Sequence, residues 1–306
     1  MDTEVLRYVA FSADPSGGNP AGVVLDASGL DEAAMSRIAA DLGYSETAFV
    51  FPERGADADA GAETETETEQ GTGEAAGPGR RTRFAVRYFS PLIEVPFCGH
   101  ATIATAVAHA QRHGTGELSF RTGAGEVLVS TEAGPDASVM ATLVSVAPRS
   151  EPIAPDVTAE LLEALRWSAE DLDPALPVRA AYAGAWHPVI AAADRDRLAR
   201  LDYDRPALSA LMARHGWTTI DLVWRESPSV FHSRNPFPPG GVVEDPATGA
   251  AAAALGGYLR AEGLVEAPTT LTVYQGYDMG RPSTIRVRVP EGAATGIEVG
   301  GTAVAI

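Results

Sequence analysis

Two segments of the chain combine a tight, small-residue turn with an apolar helix: Phe97-Cys98-Gly99-His100-Ala101-Thr102 and Glu244-Asp245-Pro246-Ala247-Thr248-Gly249-Ala250. A helix start exposes unpaired backbone N–H groups and a partial positive charge, so two starts that converge form an anion site suited to a small carboxylate. The plainer alternative is that Gly99 and Gly249 only permit strand-to-helix turns, with Asp245 as a cap. Cys98 is the single cysteine, which excludes an intramolecular disulfide and chemistry that needs two thiols. All 23 Lys+Arg residues are arginines, so Schiff-base chemistry on a lysine, including pyridoxal phosphate, is excluded. His109 and His113 have the spacing of a helical metal pair, but Arg112 lies beside them and no glutamate follows the first histidine, so no metal is expected. His187, His215 and His232 read as structural.

Short strands must carry these turns. Strand-like runs cover 5–11, 22–25, 47–51, 84–89, 125–130, 139–146, 221–224, 271–275, 285–289 and 302–306. Ile285, Val287 and Val289 alternate with Arg286 and Arg288, the period of a half-buried strand. So many short strands argue against a doubly wound α/β sheet. Two helices are amphipathic surface helices: one capped by Asp31, carrying Met35, Ile38, Ala39 and Leu42 and stopped by Gly43, and one over 206–215 before Gly216. Two more, 101–110 and 250–259, are apolar nearly all round and belong inside something.

The halves resemble each other. Ser45-Glu46-Thr47-Ala48-Phe49-Val50 follows the first surface helix as Thr218-Thr219-Ile220-Asp221-Leu222-Val223 follows the second, an offset of 173, and Gly99 and Gly249 are offset by 150. The discrepancy nearly equals the length of an acidic stretch over 55–79, which contains seven acids and no base and is expected to be a disordered insertion. Removing it brings the halves into register, which indicates an internal duplication. The fold expected is α+β: two pseudo-symmetric domains, each a mostly antiparallel β-barrel around a central apolar helix. The divisions are 1–148, with the insertion, and 149–306, whose last strand is free to return to the first domain.

At 306 residues with 45% hydrophobic and 21% charged side chains, the composition is that of an ordinary globular protein, without an apolar stretch long enough to span a bilayer. The start Met1-Asp2-Thr3-Glu4 lacks the basic flank and apolar run of a signal peptide, which predicts a cytoplasmic protein. A formal charge of -18 repels phosphate backbones and anionic lipid, so neither nucleic acid nor a membrane is an expected partner.

Five segments together carry a family resemblance: Gly17-Gly18-Asn19-Pro20-Ala21-Gly22-Val23, Ser45-Glu46-Thr47-Ala48-Phe49-Val50, Pro96-Phe97-Cys98-Gly99-His100-Ala101-Thr102, Glu244-Asp245-Pro246-Ala247-Thr248-Gly249 and Gln275-Gly276-Tyr277-Asp278-Met279-Gly280-Arg281-Pro282-Ser283. In this order the chain resembles the phenazine-biosynthesis PhzF-like isomerase family, within the diaminopimelate-epimerase-like fold. The resemblance implies cofactor-free isomerisation of a small carboxylate in a cleft between two barrel domains, commonly in a homodimer. It puts a general acid/base glutamate at Glu46, the glycine-histidine pair at Gly99 and His100, and a substrate-holding aspartate at Asp245. A carboxylate can shuttle a proton beside an unsaturated or acidic group when burial raises its pKa. His100, in the first turn of a buried helix, is expected to stay neutral. Asn19, Ser45, Thr248 and Ala250 join Gly99 and Gly249 as substrate-binding candidates, with Ala250 standing where the family usually has serine. Racemases of this fold use one thiol from each domain; here Thr248 matches the second, which excludes that mechanism. A single-thiol epimerase or dehydratase using Cys98, and a silent small-acid-binding protein, stay open as alternatives.

Overall fold

Alternating inward and outward side chains build most of the molecule. In the computed structural model, which describes residues 3–53, 81–134 and 138–306, Ser283, Ile285, Val287 and Val289 are buried while Thr284, Arg286 and Arg288 face outward. The acidic stretch 55–79 lies outside the described residues.

In chain order the first ten strands and helices are β1 (Leu6–Ala10), β2 (Asn19–Val24), α1 (Glu32–Leu42), β3 (Glu46–Pro52), β4 (Thr82–Phe89), β5 (Glu94–Val95), α2 (Gly99–His113), β6 (Glu117–Thr122), β7 (Gly125–Ala133) and β8 (Val139–Val144). There follow β9 (Arg149–Pro152), α3 (Pro155–Leu165), β10 (Arg179–Tyr182), β11 (Trp186–Ala191), α4 (Arg195–Ala199), α5 (Arg205–His215) and β12 (Asp221–Ser227). The chain closes with β13 (Val230–Pro236), β14 (Glu244–Asp245), α6 (Gly249–Ala261), β15 (Thr269–Gln275), β16 (Ser283–Val289) and β17 (Glu298–Ala305).

The pairing pattern occurs twice. β1–β2 is an antiparallel hairpin, β2–β3 is parallel across α1, β3–β4 is antiparallel, β4–β6 is parallel across α2, and β6–β7–β8 continue antiparallel. β10–β11, β11–β12, β12–β13, β13–β15 and β15–β16–β17 repeat those relations in the same order, with α4 and α5 in the first crossover and α6 in the second. β17 also pairs with β8 through its first half and with β1 through its last residues. The ring β1–β2–β3–β4–β6–β7–β8–β17 is therefore a closed eight-stranded barrel. These are two pseudo-symmetric barrel halves of one α+β fold.

Each central helix is sealed inside strands because its side chains are small. Ala101, Ala104, Ala106 and Ala108 on α2, and Ala251 to Ala254 on α6, are essentially without solvent contact. Gly256 and Gly257 leave no room for a Cβ against Val287 and Pro148, so the backbone of α6 lies directly on its surroundings. The outer helices have an ordinary apolar stripe: α1 buries Met35 and Ala39 against Phe49 and Phe89, and α5 buries Leu208, Leu211 and Met212 with Leu161 and Leu165 of α3.

The expected helices are present, each within a few residues of its expected ends. Several strands escaped the sequence pattern. β10 is Arg-Ala-Ala-Tyr and β11 contains Pro188, so neither shows apolar alternation. β13 reads as polar because its inward residues Ser233 and Asn235 bond to a buried acid, Asp221, rather than pack as hydrocarbon.

Candidate active site

The helices α1, α4 and α5 each begin on an aspartate whose carboxylate accepts a backbone N–H: Asp31 from Ala34, Asp194 from Arg197, Asp204 from Ala207. α2 and α6 differ. They begin on Cys98 and Thr248, and neither side chain accepts a capping hydrogen bond. Asp245 does not cap α6, as the plainer alternative would have it; its carboxylate accepts from the Thr248 hydroxyl at 2.6 Å. The two starts adjoin: a Cβ on Gly99 would lie 4.0 Å from both the Ala250 nitrogen and the Gly249 Cα. That space makes Gly99 sterically optional, whereas a Cβ on Gly249 would press on the Phe11 ring at 3.3 Å. Two helix N-termini without side-chain caps thus meet, and their partial positive charge falls in one place.

Four segments bring polar side chains to that place. Gly18, with a φ of 58°, turns the chain into β2 so that Asn19 enters the interior, and Arg281 clamps this turn through the Gly17 and Gly18 carbonyls at 3.1 and 3.0 Å. Asn19 Nδ2 donates to Asp245 Oδ1 at 2.8 Å and to the Ala247 carbonyl at 3.2 Å, joining the two halves. Its two hydrogens are thereby used, although His100 Nδ1 also lies 3.2 Å away. The imidazole hydrogen-bonds to the carbonyl of Pro20, the residue after Asn19, which requires a ring N–H. Nε2 faces Ser45 Oγ at 3.3 Å and Glu46 Oε2 at 3.4 Å.

Glu46, the first residue of β3, hydrogen-bonds with Ser45 and accepts from the Cys98 thiol at 3.4 Å. Burial raises its pKa above the ordinary carboxylate value, and those two hydrogen bonds pull back. Burial also raises Asp245, to about 6, against the opposing effects of His100, Thr248 and Asn19. The His100 pKa is lowered by burial, so the ring is neutral between two acids. Cys98 lies 3.3 Å from His100 Nδ1 and touches Glu46, so it is a member of the site and not only a small buried hydrophobe. Burial and the Glu46 charge push its thiol well above the usual value, away from thiolate.

Every residue singled out above for catalysis or binding therefore falls in one cluster: Glu46, His100 and Asp245, with Asn19, Ser45, Gly99, Thr248, Gly249 and Ala250. One further residue of the cluster was not singled out from the sequence. Gln275 accepts from the Thr248 N–H at 2.9 Å and donates to the Asp245 carbonyl at 2.8 Å and to the Thr248 hydroxyl at 2.9 Å. It supports Asp245 from behind; its place ahead of Gly276 in a matching segment was the available signal. His109 and His113 lie with ring centroids 4.7 Å apart at the far end of α2.

The chain matches known proteins along nearly its whole length. The profile of the family described as phenazine biosynthesis-like protein, PhzC-PhzF, matches residues 8–306. The trans-2,3-dihydro-3-hydroxyanthranilate isomerase of Pseudomonas fluorescens is 31% identical, over 96% of this chain and 94% of that protein. The crystal structure of a PhzF-family phenazine biosynthesis protein from Bacillus anthracis superposes with a TM-score of 0.81 at 26% identity, covering 99% of this chain and 97% of that one. A probable proline racemase from Agrobacterium radiobacter shares the fold at a TM-score of 0.61 and 12% identity, covering 99% and 90% of the two chains. With converging uncapped helix starts, a shielded glutamate and these likenesses together, the chain belongs to the PhzF-like family of isomerases.

Proposed function

We propose that the protein isomerises a small carboxylic acid without a cofactor, by moving a proton from one carbon to another through Glu46. The observation that carries this is the position of the Glu46 carboxylate, shielded from water beside two uncapped helix starts that attract an anion. The substrate carboxylate takes the backbone N–H groups after Gly99 and Gly249. Ionised Glu46 removes a proton from a carbon made acidic by neighbouring unsaturation, the electron pair spreads toward the held carboxylate, and the N–H groups stabilise that charge. Protonated Glu46, part of whose side chain is exposed and can exchange with solvent, returns a proton to a conjugated carbon, so the step needs no oxidant and no second substrate. His100, neutral, lies with Nε2 beside Glu46 while the proton is held there, and ionised Asp245 accepts from a substrate amine or hydroxyl.

A relative named for a hydroxylated dihydroanthranilate supports a ring carboxylic acid as the substrate class. Ala250, lacking a hydroxyl, leaves the anion to the backbone, so the substrate differs from that of family members with serine there. In this reading 1–148 and 149–306 are the two lobes around the cleft, and the chain works as a cytoplasmic homodimer. The single-thiol alternative finds less support, because the environment of Cys98 disfavours thiolate. Turnover of candidate acids in heavy water separates the two. Wild-type protein incorporates deuterium at the receiving carbon, Glu46→Gln loses this by on the order of 10²-fold or more, and Cys98→Ser retains it. Equal incorporation by wild type and Glu46→Gln rejects Glu46 as the base.

A further inference from the structure

We propose that Gln275 is a positioning residue for Asp245: it fixes the direction of the hydrogen bonds that reach this carboxylate, so that Asp245 is held as an acceptor toward the cleft. Gln275 ends β15 and is 1% exposed. Gly276 brings it there, since at a φ of 77° the chain runs so close to the Pro246 carbonyl that a Cβ would lie 2.7 Å from that oxygen. The backbone then decides which way the Gln275 amide points. Only its oxygen can accept from the Thr248 N–H, at 2.9 Å, and only its nitrogen can donate to the Asp245 carbonyl, at 2.8 Å. The second hydrogen on that nitrogen goes to the Thr248 hydroxyl, at 2.9 Å.

That last bond sets the hydroxyl. An oxygen approached by an N–H donor turns its own hydrogen elsewhere, and Asp245 Oδ2 lies 2.6 Å away to receive it. The other carboxylate oxygen is served in the same manner, because Asn19 must turn its nitrogen toward the Ala247 carbonyl at 3.2 Å and donates its remaining hydrogen to Oδ1 at 2.8 Å. Both oxygens of Asp245 thus meet donors that cannot reverse, which favours the ionised form. In the first half Cys98 stands where Thr248 stands and likewise gives its hydrogen to an acid, Glu46, at 3.4 Å, but a thiol is the weaker donor. The two acids are thereby separated in role: Asp245 stays an acceptor, while Glu46 is left to gain and lose the proton. This division rests on the proposed isomerisation; the hydrogen-bond directions do not.

Carboxyl-13C NMR of full-length protein labelled at aspartate reads Asp245 directly, its signal being the one missing in Asp245→Asn. The other titratable groups that face Asp245, His100 and Cys98 at the start of α2 and Glu46 on β3, carry no label and are kept in the variants. Gln275→Met removes the donor to the Thr248 hydroxyl. Gln275→Glu puts an acceptor in the same space, which draws that hydroxyl to itself and adds a charge. Asp245 should titrate about one pH unit or more higher in Gln275→Met, and higher still in Gln275→Glu, the order expected of a hydrogen bond to a charged group. With Thr248→Val already in place, Gln275→Met should add little, because the effect passes through the hydroxyl. Folded variants in which Asp245 titrates as in wild type overturn the proposal. Wild-type protein supplies a second test should the variants not fold. The chain has three glutamines, Gln70, Gln111 and Gln275, so side-chain 15N-glutamine resolves the Gln275 amide. Both its hydrogens should exchange slowly with solvent and shift with the midpoint of Asp245; a pair that exchanges freely or ignores that titration overturns the proposal. Neither readout uses turnover, so its failure and the failure of the isotope test are independent.

Discussion

Burial lifts both acids of the site, Glu46 and Asp245, above the ordinary carboxylate value, and that has consequences for activity. Burial lifts Asp245 to about 6, and it must be ionised to accept a hydrogen bond from substrate. kcat/KM should therefore rise as pH increases through about 6. Thr248→Val removes the hydroxyl that stabilises the Asp245 anion at 2.6 Å, so the rising limb should move to higher pH; a pH–rate profile with the limb unmoved or moved lower contradicts this role. Asp221 offers a parallel test on stability. It is 1% exposed, accepts from Ser233 and Asn235 through Oδ1, and has no partner at Oδ2. Burial raises it from 3.8 to about 6. Because the folded protein holds this proton more tightly than the unfolded chain, the contribution is fully present below the unfolded pKa and is lost as pH rises through the folded one. At about 1.4 kcal/mol per tenfold, the loss is about 3 kcal/mol. Urea unfolding of wild type and Asp221→Asn should show their stability difference changing by an amount of that order across this range; a constant difference contradicts the account.

The short strands that deliver the site use one device in both halves. On β4–β5, Arg87 holds Glu94 through Nε at 2.7 Å and Nη2 at 2.6 Å; on β13–β14, Arg234 holds Glu244 in the same bidentate manner. Glu94 and Glu244 precede Gly99 and Gly249 by equal intervals, so each pair fixes the turn that leads into a central helix. The pairs differ in setting: Arg234 and Glu244 are 9% and 6% exposed in their side chains, Arg87 and Glu94 32% and 41%. Removing one partner of a buried pair strands a charge at a cost of about 3–5 kcal/mol, while an exposed pair contributes about 0–1 kcal/mol. Arg234→Ala should accordingly lower the unfolding free energy several times more than Arg87→Ala; equal losses in denaturant titrations would show the burial difference to be immaterial. This device was readable only in part. The glutamates align in sequence, but their arginines lie on other strands whose register a pattern of residue types does not fix. The helix starts, by contrast, were legible because glycine, small neighbours and an all-apolar helix are consecutive. β10, β11 and β13 were not, since alanine, histidine, serine and asparagine share their buried positions with Val189, Ile190 and Phe231 and break the apolar pattern.

Across the molecule, duplication explains both the likeness of the halves and the asymmetry of the site. The repeated strand order sets α2 and α6 with their starts together, and β17 ties the halves by pairing with β16, β8 and β1. Chemistry has diverged within that frame: Cys98 and His100 in the first half face Thr248 and Ala250 in the second, and Thr219 takes the position corresponding to Glu46. Thr219 donates instead to Asn235 in the buried network around Asp221. Arginines also line a groove of about 360 Å³ where β7, β8, β16 and β17 meet: Arg286 and Arg288 stand there with Ser130, Thr142, Glu132 and Glu298, and Glu298 pairs with Arg288 at 3.0 Å. The central claim is that the converging helix starts, and not those arginines, hold the substrate anion beside Glu46. A crystal structure with a small ring carboxylate bound tests this most directly. The account predicts the carboxylate on the N–H groups following Gly99 and Gly249 with a ring carbon against Glu46; a carboxylate seated on Arg286 and Arg288, with the helix starts bare, would contradict it.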